Sequence, residues 1–446
     1  MPRGELSNLA ARKRCAGVFP ARFASLLLRC IRGSRFYGGQ ALNDSERQRR
    51  SRLGRNVVAL GWVSLLTDTS TEIVYPLVPL FLTALGAGPL FVGLVEGVAE
   101  TTASVLKAVA GWWSDRLGHR KRIVVAGYTL SSATRPLMAL AIWPWHVLAA
   151  RFIDRVGKGI RTAPRDALLA ASAEQQGRGR VFGFHRAMDH AGAVLGPIIA
   201  FILLGEVSGA SATAADTYRA VFWVATIPAV FAVATLAVFV REVAVPPASN
   251  RGSAPRLLAP LDRRFYRYLG VAALFTLGNS SDAFLLLRAS ECGVRGELIP
   301  LLWAMLHVVK SATSMPAGAW SDRIGRKPAL AAGWGVYAVV YLGFAVARAD
   351  WQIWTLFGLY GVYFGLTEGA EKAFVADLVE PPMRATAYGL HGFAVGMVAL
   401  PASLLMGWLW TAWSAPAAFL VGAVLALVAG GLLLSAVPAP RSGQRG

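Results

Sequence analysis

Gly111-Trp112-Trp113-Ser114-Asp115-Arg116-Leu117-Gly118 returns as Gly318-Ala319-Trp320-Ser321-Asp322-Arg323-Ile324-Gly325, 207 residues further along the chain. Two other stretches repeat at nearly the same offset. Arg165-Asp166-Ala167 and Phe182-Gly183-Phe184-His185 have counterparts in Glu371-Lys372-Ala373 and Tyr388-Gly389-Leu390-His391. Asp68-Thr69-Ser70 is answered more weakly by Asn279-Ser280-Ser281. A repeat of that length is half a protein, duplicated in the same direction. What lies between the repeated segments therefore sets the fold.

Those intervals are filled by apolar runs. The chain of 446 residues is 55% hydrophobic and only 16% charged, with mean hydropathy +0.48, whereas a soluble domain carries about 25% charged residues. Runs of roughly 20 apolar residues cross a hydrocarbon layer of about 30 Å. Twelve such spans are expected: 57–84, 89–113, 121–142, 146–168, 183–205 and 219–241, then 266–289, 298–320, 328–347, 353–376, 385–410 and 415–437. The fold class is an all-α membrane protein of twelve helices in two six-helix halves related by a parallel repeat. The halves are 56–241 and 266–437, joined by a Pro- and Arg-rich linker at 242–265 and followed by a short tail at 438–446. A soluble globular enzyme is excluded. Two parallel six-span halves place a substrate path at their interface, near the middle of the bilayer.

Charge is sorted along the same plan. Lys plus Arg number 45 against 25 Asp plus Glu, a net +20. Such an excess elsewhere suggests nucleic acid, but here no single patch carries it. Residues 1–55 hold 13 basic and 3 acidic side chains and read as a poorly ordered basic tail. The rest gathers in alternate connections, at Arg116, Arg120, Lys121, Arg122, Arg178, Arg180, Arg323, Arg326, Lys327 and Arg384, while Gly86-Ala87-Gly88 and Trp143-Pro144-Trp145 are bare. Basic connections stay on the cytoplasmic side, so both termini are expected there, in a bacterial inner membrane. Cys15, Cys30 and Cys292 have unrelated spacings, which makes neither a disulfide framework nor a metal site.

At the repeated segments the chain resembles the major facilitator superfamily, over about residues 55–437. The loop signature G-x-x-x-D-R-x-G-R-K is matched by Gly111, Asp115, Arg116, Gly118, Arg120 and Lys121, with His119 where the family often has Arg. The second copy matches at Gly318, Asp322, Arg323, Gly325, Arg326 and Lys327. A glycine at a helix end admits close approach of a neighbour. The Asp and Arg then form a charged latch that holds one conformation and releases in another. Arg155-Val156-Gly157-Lys158-Gly159 resembles R-x-x-Q-G, whose Arg the family associates with proton transfer, with Lys158 in place of Gln. Gly192-Ala193-Val194-Leu195-Gly196-Pro197 resembles the G-x-x-x-G-P signature of the drug:proton antiporters, with Ala200-Phe201 replacing the usual glycine pair.

Ionisable groups inside a span are costly and are functional candidates by default. Span 1 has Asp68 and Glu72. Span 2 has Glu96, Glu100 and Lys107, within roughly 40° of one face. Span 4 has Arg151, Asp154, Arg155, Lys158, Arg161, Arg165 and Asp166, in an arc of roughly 140° that belongs against protein or water. The second half offers Asn279 and Asp282 on span 7, a face of His307, Lys310 and Ser314 on span 8, and Glu368, Glu371 and Lys372 on span 10. Burial and neighbouring cations push the proton affinity of a carboxylate in opposite directions, so it can titrate near neutral pH. Glu96, Glu100, Asp68 and Glu72 are the candidate coupling acids, Glu96 and Glu100 first, with Arg155 and His307 beside them. Arg151, Lys158, Lys310, Asn279 and Asp282 are the candidate cavity groups. Tyr75, Trp303, Tyr360, Tyr363 and Phe364 are candidate lining aromatics. Static interhelical ion pairs, such as Glu96 or Glu100 with Arg151 or Arg155, are the competing account of the same charges.

No phosphate loop G-x-x-x-x-G-K-S/T, H-E-x-x-H, C-x-x-C or G-x-S-x-G motif occurs, so neither an ATP motor nor an enzyme is expected, and no cofactor or metal. The expected partners are the bilayer, a small-molecule substrate and protons, with no nucleic acid, in a monomer. The reading is a proton-coupled transporter working by alternating access. A facilitator of the same fold and a non-transporting receptor or assembly partner are the alternatives. The span-5 glycines favour efflux by antiport, and the basic face of span 4 permits uptake of an organic anion; both directions stay open.

Overall fold

In lipid a backbone must satisfy its own hydrogen bonds, so apolar runs of this length become helices. The computed structural model describes residues 54–117, 120–172, 178–207, 213–243, 261–380 and 383–438, and among them there is no strand. The basic N-terminal segment, most of the expected linker and the C-terminal tail lie outside the described residues. Span 1 is built from Arg55–Val74, a 3-10 turn at Tyr75–Leu77 and Val78–Ala84. Spans 2 to 6 are Pro89–Leu117, Arg120–Ala139, Pro144–Ala171, Arg178–Val207 and Ala214–Phe239. Span 7 is Arg263–Gly278 with Ala283–Glu291. Spans 8 to 12 are Ile299–Ile324, Arg326–Val346, Asp350–Asp377, Arg384–Ala412 and Ala415–Ala436.

Nine of the twelve are long and apolar enough to cross a membrane by composition alone among the described residues. Spans 3, 4 and 10 have the length but are more polar, and they are sheltered by neighbours. Span 7 is not the continuous helix its hydropathy suggests. Asn279, Ser280 and Ser281 interrupt it, since short polar side chains compete for the helix backbone. The groups freed by the break find partners. Tyr337 Oη donates to Gly278 O at 2.9 Å, the Asn279 amide donates to Tyr363 Oη at 3.4 Å, and Ser280 shares a hydrogen bond with Tyr341.

The duplication seen in sequence governs the packing. In the first half span 1 packs on 5 and 6, span 4 on 2 and 3, and span 3 on 6. In the second half span 7 packs on 11 and 12, span 10 on 8 and 9, and span 9 on 12, the same set displaced by six spans. The halves meet through span 2 on span 11 and span 5 on span 8, two contacts that the same operation exchanges. Even the loop lysines correspond. Lys121 Nζ donates to Ala237 O at the end of span 6, and Lys327 Nζ to Leu434 O and Val437 O at the end of span 12. A cation on the last carbonyls of a helix satisfies its orphan acceptors and its dipole.

The two faces of the bundle differ. On the bare-loop face one apolar core runs through both halves, from Val74, Leu77 and Phe81 to Phe284, Leu285 and Trp303. On the basic-loop face the first half keeps a core of its own, around Val57, Leu60, Tyr128 and Leu236. There Lys107 and Val109 on span 2 and Ser314 and Met315 on span 8 are exposed. The apolar core joins the halves at the bare-loop face, while at the basic-loop face the described core of the first half is separate.

Candidate functional site

Span 4 carries its charges inward, as the arc requires. Arg151, Asp154, Arg155 and Arg161 are all buried, at 3% to 7% exposure. Gly127 and Gly157 let spans 3 and 4 touch there: a Cβ on Gly127 would stand 2.8 Å from Gly157 O. Within this close packing Arg151 grips Glu96 through 2.6 and 2.7 Å contacts, and Glu96 is 1% exposed. Arg155 lies 3.4 Å from Glu100 and 3.9 Å from Asp154, while Asp154 also receives Arg135 at 3.3 Å. Arg161 covers the Tyr128 ring at 4.1 Å, and Arg165 pairs with Asp166. The two first-ranked coupling acids are thus the anions of an ion-pair lattice joining spans 2, 3 and 4. Lys158 alone of the inner face is exposed, and so is Glu100. Lys107 is exposed toward the basic-loop face.

The span-1 acids sit differently. Gly192 and Gly196 of the span-5 signature face them: a Cβ on Gly192 would be 2.6 Å from Leu65 O and 3.0 Å from Asp68 Cβ, and one on Gly196 would be 2.6 Å from Thr69 O and 2.8 Å from Glu72 Cβ. The missing side chains are what bring the span-1 backbone against span 5, with Pro197 one residue beyond. Glu72 accepts from Trp303 Nε1 at 2.8 Å and stands 3.9 Å from His307 Nε2, both across the interface. Asp68, half-buried, has no hydrogen bond or ion pair to its carboxylate among the described residues. One turn nearer the basic face, Ser64 hydrogen-bonds Asp189, which also faces His185 at 3.5 Å.

In the second half Asp282 accepts from Tyr360 Oη at 2.6 Å, and Asn279 meets Tyr363, so these two candidates belong to a tyrosine cluster with Tyr337 and Tyr341. Lys310 reaches Glu368 at 3.1 Å and lies 4.5 Å above the Phe364 ring. Of the expected lining aromatics, Tyr75 and Phe364 are half-buried, whereas Tyr360, Tyr363 and Trp303 are core residues.

The latch is half visible. Gly118 lies outside the described residues, as do the side chains of Asp115 and Arg116 and the surroundings of Gly111. In the second copy Asp322 pairs with Arg326 of its own loop, Arg326 adds a 3.3 Å hydrogen bond to Ser321, and Arg323 is exposed. Gly325 turns the chain between spans 8 and 9 at φ +97°, a conformation that favours glycine. Among the described residues nothing lies within 4 Å of the position a Cβ on Gly318 would take, so no close helix approach is seen there.

Sequence reasoning did not place Arg135, Arg186, His185 with Asp189, or the His391–Glu371–Tyr268 group, in which Glu371 lies 3.2 Å from both partners. Arg135 had a usable signal, as the one ionisable residue in the interior of span 3. No group of three or more His, Cys, Asp or Glu side chains among the described residues is arranged to hold a metal ion. Cys292 is buried and donates to Ala347 O.

The model of the Major Facilitator Superfamily matches residues 60–294 and 270–446. An uncharacterized MFS-type transporter of Methanocaldococcus jannaschii is 37% identical over 405 residues, 89% of this chain and 97% of its own. The multidrug resistance protein MdtH of Cronobacter sakazakii is 27% identical over 355 residues, 76% of this chain and 84% of its own. Among solved structures, a bacterial homolog of the human lysosomal transporter Spinster, inward-facing and occupied, superposes with TM-score 0.71 at 14% identity, over 85% of this chain and 95% of that one. At that identity the likeness concerns the fold alone.

Proposed function

Because the chain belongs to the major facilitator superfamily, a family of membrane transporters, we propose that it exports a small molecule in exchange for protons, by alternating access between its two six-helix halves. Asp68 carries this reading. It is a carboxylate in the interior of span 1, without an ion-pair partner among the described residues, set against Gly192 of the signature that resembles the drug:proton antiporters. An intramembrane acid that no fixed cation neutralises is the kind of group that can take and release a proton. Glu96 and Glu100 serve as anchors of span 4, since their arginines hold them in place.

Protonating Asp68 removes a charge at the line where the glycines bring spans 1 and 5 together. Span 5 also forms a major inter-half contact, through span 8, so proton occupancy is felt at the moving interface. The efflux direction is supported by Gly192, Gly196 and Pro197 and by relatives named as multidrug resistance proteins. The basic connections put both termini on the cytoplasmic side of a bacterial inner membrane.

The test is flux in proteoliposomes under an imposed pH gradient, screened over candidate substrates in both directions. Wild-type flux should follow the gradient, and Asp68→Asn should lose that dependence at unchanged expression. Gradient-driven flux that persists in Asp68→Asn removes Asp68 from the coupling.

A further inference from the structure

The ion pairs that join the halves are unevenly matched in charge. Arg186 on span 5 and Lys310 on span 8 converge on Glu368 of span 10. Lys310 Nζ is 3.1 Å from Oε2, and Arg186 pairs with Oε1. Lys372, one turn further along span 10, stands 3.8 Å from Oε1. Among the described residues none of these three cations has a second carboxylate within ion-pair distance. The nearest acids in sequence are engaged elsewhere, Asp189 with Ser64 and His185, and Glu371 with Tyr268 and His391. Three positive groups on one carboxylate leave an excess of two charges in the space between the halves.

That space is reachable. The side chains of Arg186, Lys372 and Glu368 are 52%, 66% and 28% exposed, on the side of the basic connections. It also adjoins aromatic side chains. Lys310 lies over the half-buried Phe364, and the same face of span 8 continues through His307 to the buried Trp303, whose ring packs 5.1 Å from the half-buried Tyr75. In the span-4 lattice Arg135, Arg151 and Arg155 are shared among three carboxylates, Glu96, Glu100 and Asp154, whereas here three cations share one. A surplus of cations beside an aromatic strip is a receptor for an anion with an apolar body, and the Arg fork suits a carboxylate.

We propose that Arg186, Lys310 and Lys372 bind the anionic group of the transported molecule, with Glu368 as the resident counter-ion that the substrate displaces. The substrate class is then a small organic anion with an aromatic body. The cations come from both halves, so an occupied site ties the halves together on the side of the basic connections. This site rests on the inter-half space being the transport path.

The experiment is calorimetric titration of the full chain in nanodiscs with 2-naphthoate and with the uncharged 2-naphthamide, without any gradient. Naphthoate should bind at least about tenfold more tightly than the amide, the weight of one charged hydrogen bond. Glu368→Gln removes the competing carboxylate and should tighten naphthoate binding about tenfold without affecting the amide. Lys310→Gln should weaken it by a similar factor, and Lys310→Arg should restore it. Lys372→Gln, at an exposed position with little bearing on folding, should give a smaller loss. Absent naphthoate binding, equal binding of acid and amide, or weaker binding in Glu368→Gln overturns the site. Loss of binding condemns this site alone, whereas flux indifferent to the pH gradient condemns the coupling reading alone.

Discussion

At the scale of single residues the first half turns on what each buried charge is next to. Glu96 is 1% exposed and held by Arg151. Removing one partner of a buried pair leaves the other uncompensated, at a cost of about 3–5 kcal/mol. Arg151→Gln should therefore lower the melting temperature of the purified protein strongly, and Glu96→Gln added to it should recover most of the loss. A double variant as unstable as the single one would mean that Arg151 acts through Tyr75, whose ring it also covers, and not through Glu96. Which residues are ionisable and intramembrane was legible from sequence. The pairing of Glu96 or Glu100 with Arg151 or Arg155 was legible as one of two accounts, but that of Arg135 with Asp154 was not, because nothing along the chain sets span 3 against that face of span 4.

At the scale of elements, the span-1 and span-5 contact depends on two missing side chains. A Cβ on Gly192 or Gly196 would press on backbone oxygens of Leu65 or Thr69, which cannot move aside as a flexible side chain would. Overpacking of that kind costs about 1–3 kcal/mol. Gly192→Ala should lower thermal stability and gradient-driven flux, while Gly205→Ala in the same helix, where nothing lies within 4 Å, should change neither. Equal behaviour of the two variants would reduce the glycine signature to a coincidence of composition. The spacing of these glycines was visible in sequence, and so were most span boundaries, since each rests on the length of an apolar run. The break in span 7 was not, because Asn279-Ser280-Ser281 is tolerated only where Tyr337, Tyr341 and Tyr363 supply partners from other helices.

For the whole molecule, alternating access requires the closed face to open. Spans 2 and 11 are in tight contact there: a Cβ on Gly407 would lie 2.8 Å from Leu90 Cα. Gly407→Ala would set a methyl 2.8 Å from Leu90 Cα and from Pro89 O, backbone that cannot move aside, so it should weaken the closed face, lower the melting temperature and change flux. Unchanged melting and flux in that variant would exclude the contact of spans 2 and 11 from the closure.

The sequence by itself determined that this protein lies in a membrane, that it has two halves repeated in parallel, and which face carries the basic loops. Each follows from local quantities that the chain carries unchanged into any fold: the length of an apolar run, a repeat offset, the side on which Lys and Arg fall. The tertiary structure alone decided between the two accounts of Glu96 and Glu100, each of which it sets on an arginine, and left Asp68 against Gly192. It also decided that Glu368 receives three cations from two halves. Lys372 apart, those outcomes depend on distances of a few ångströms between residues 55 to 182 positions apart, and the energy of a charge in a low-dielectric interior is set by such distances.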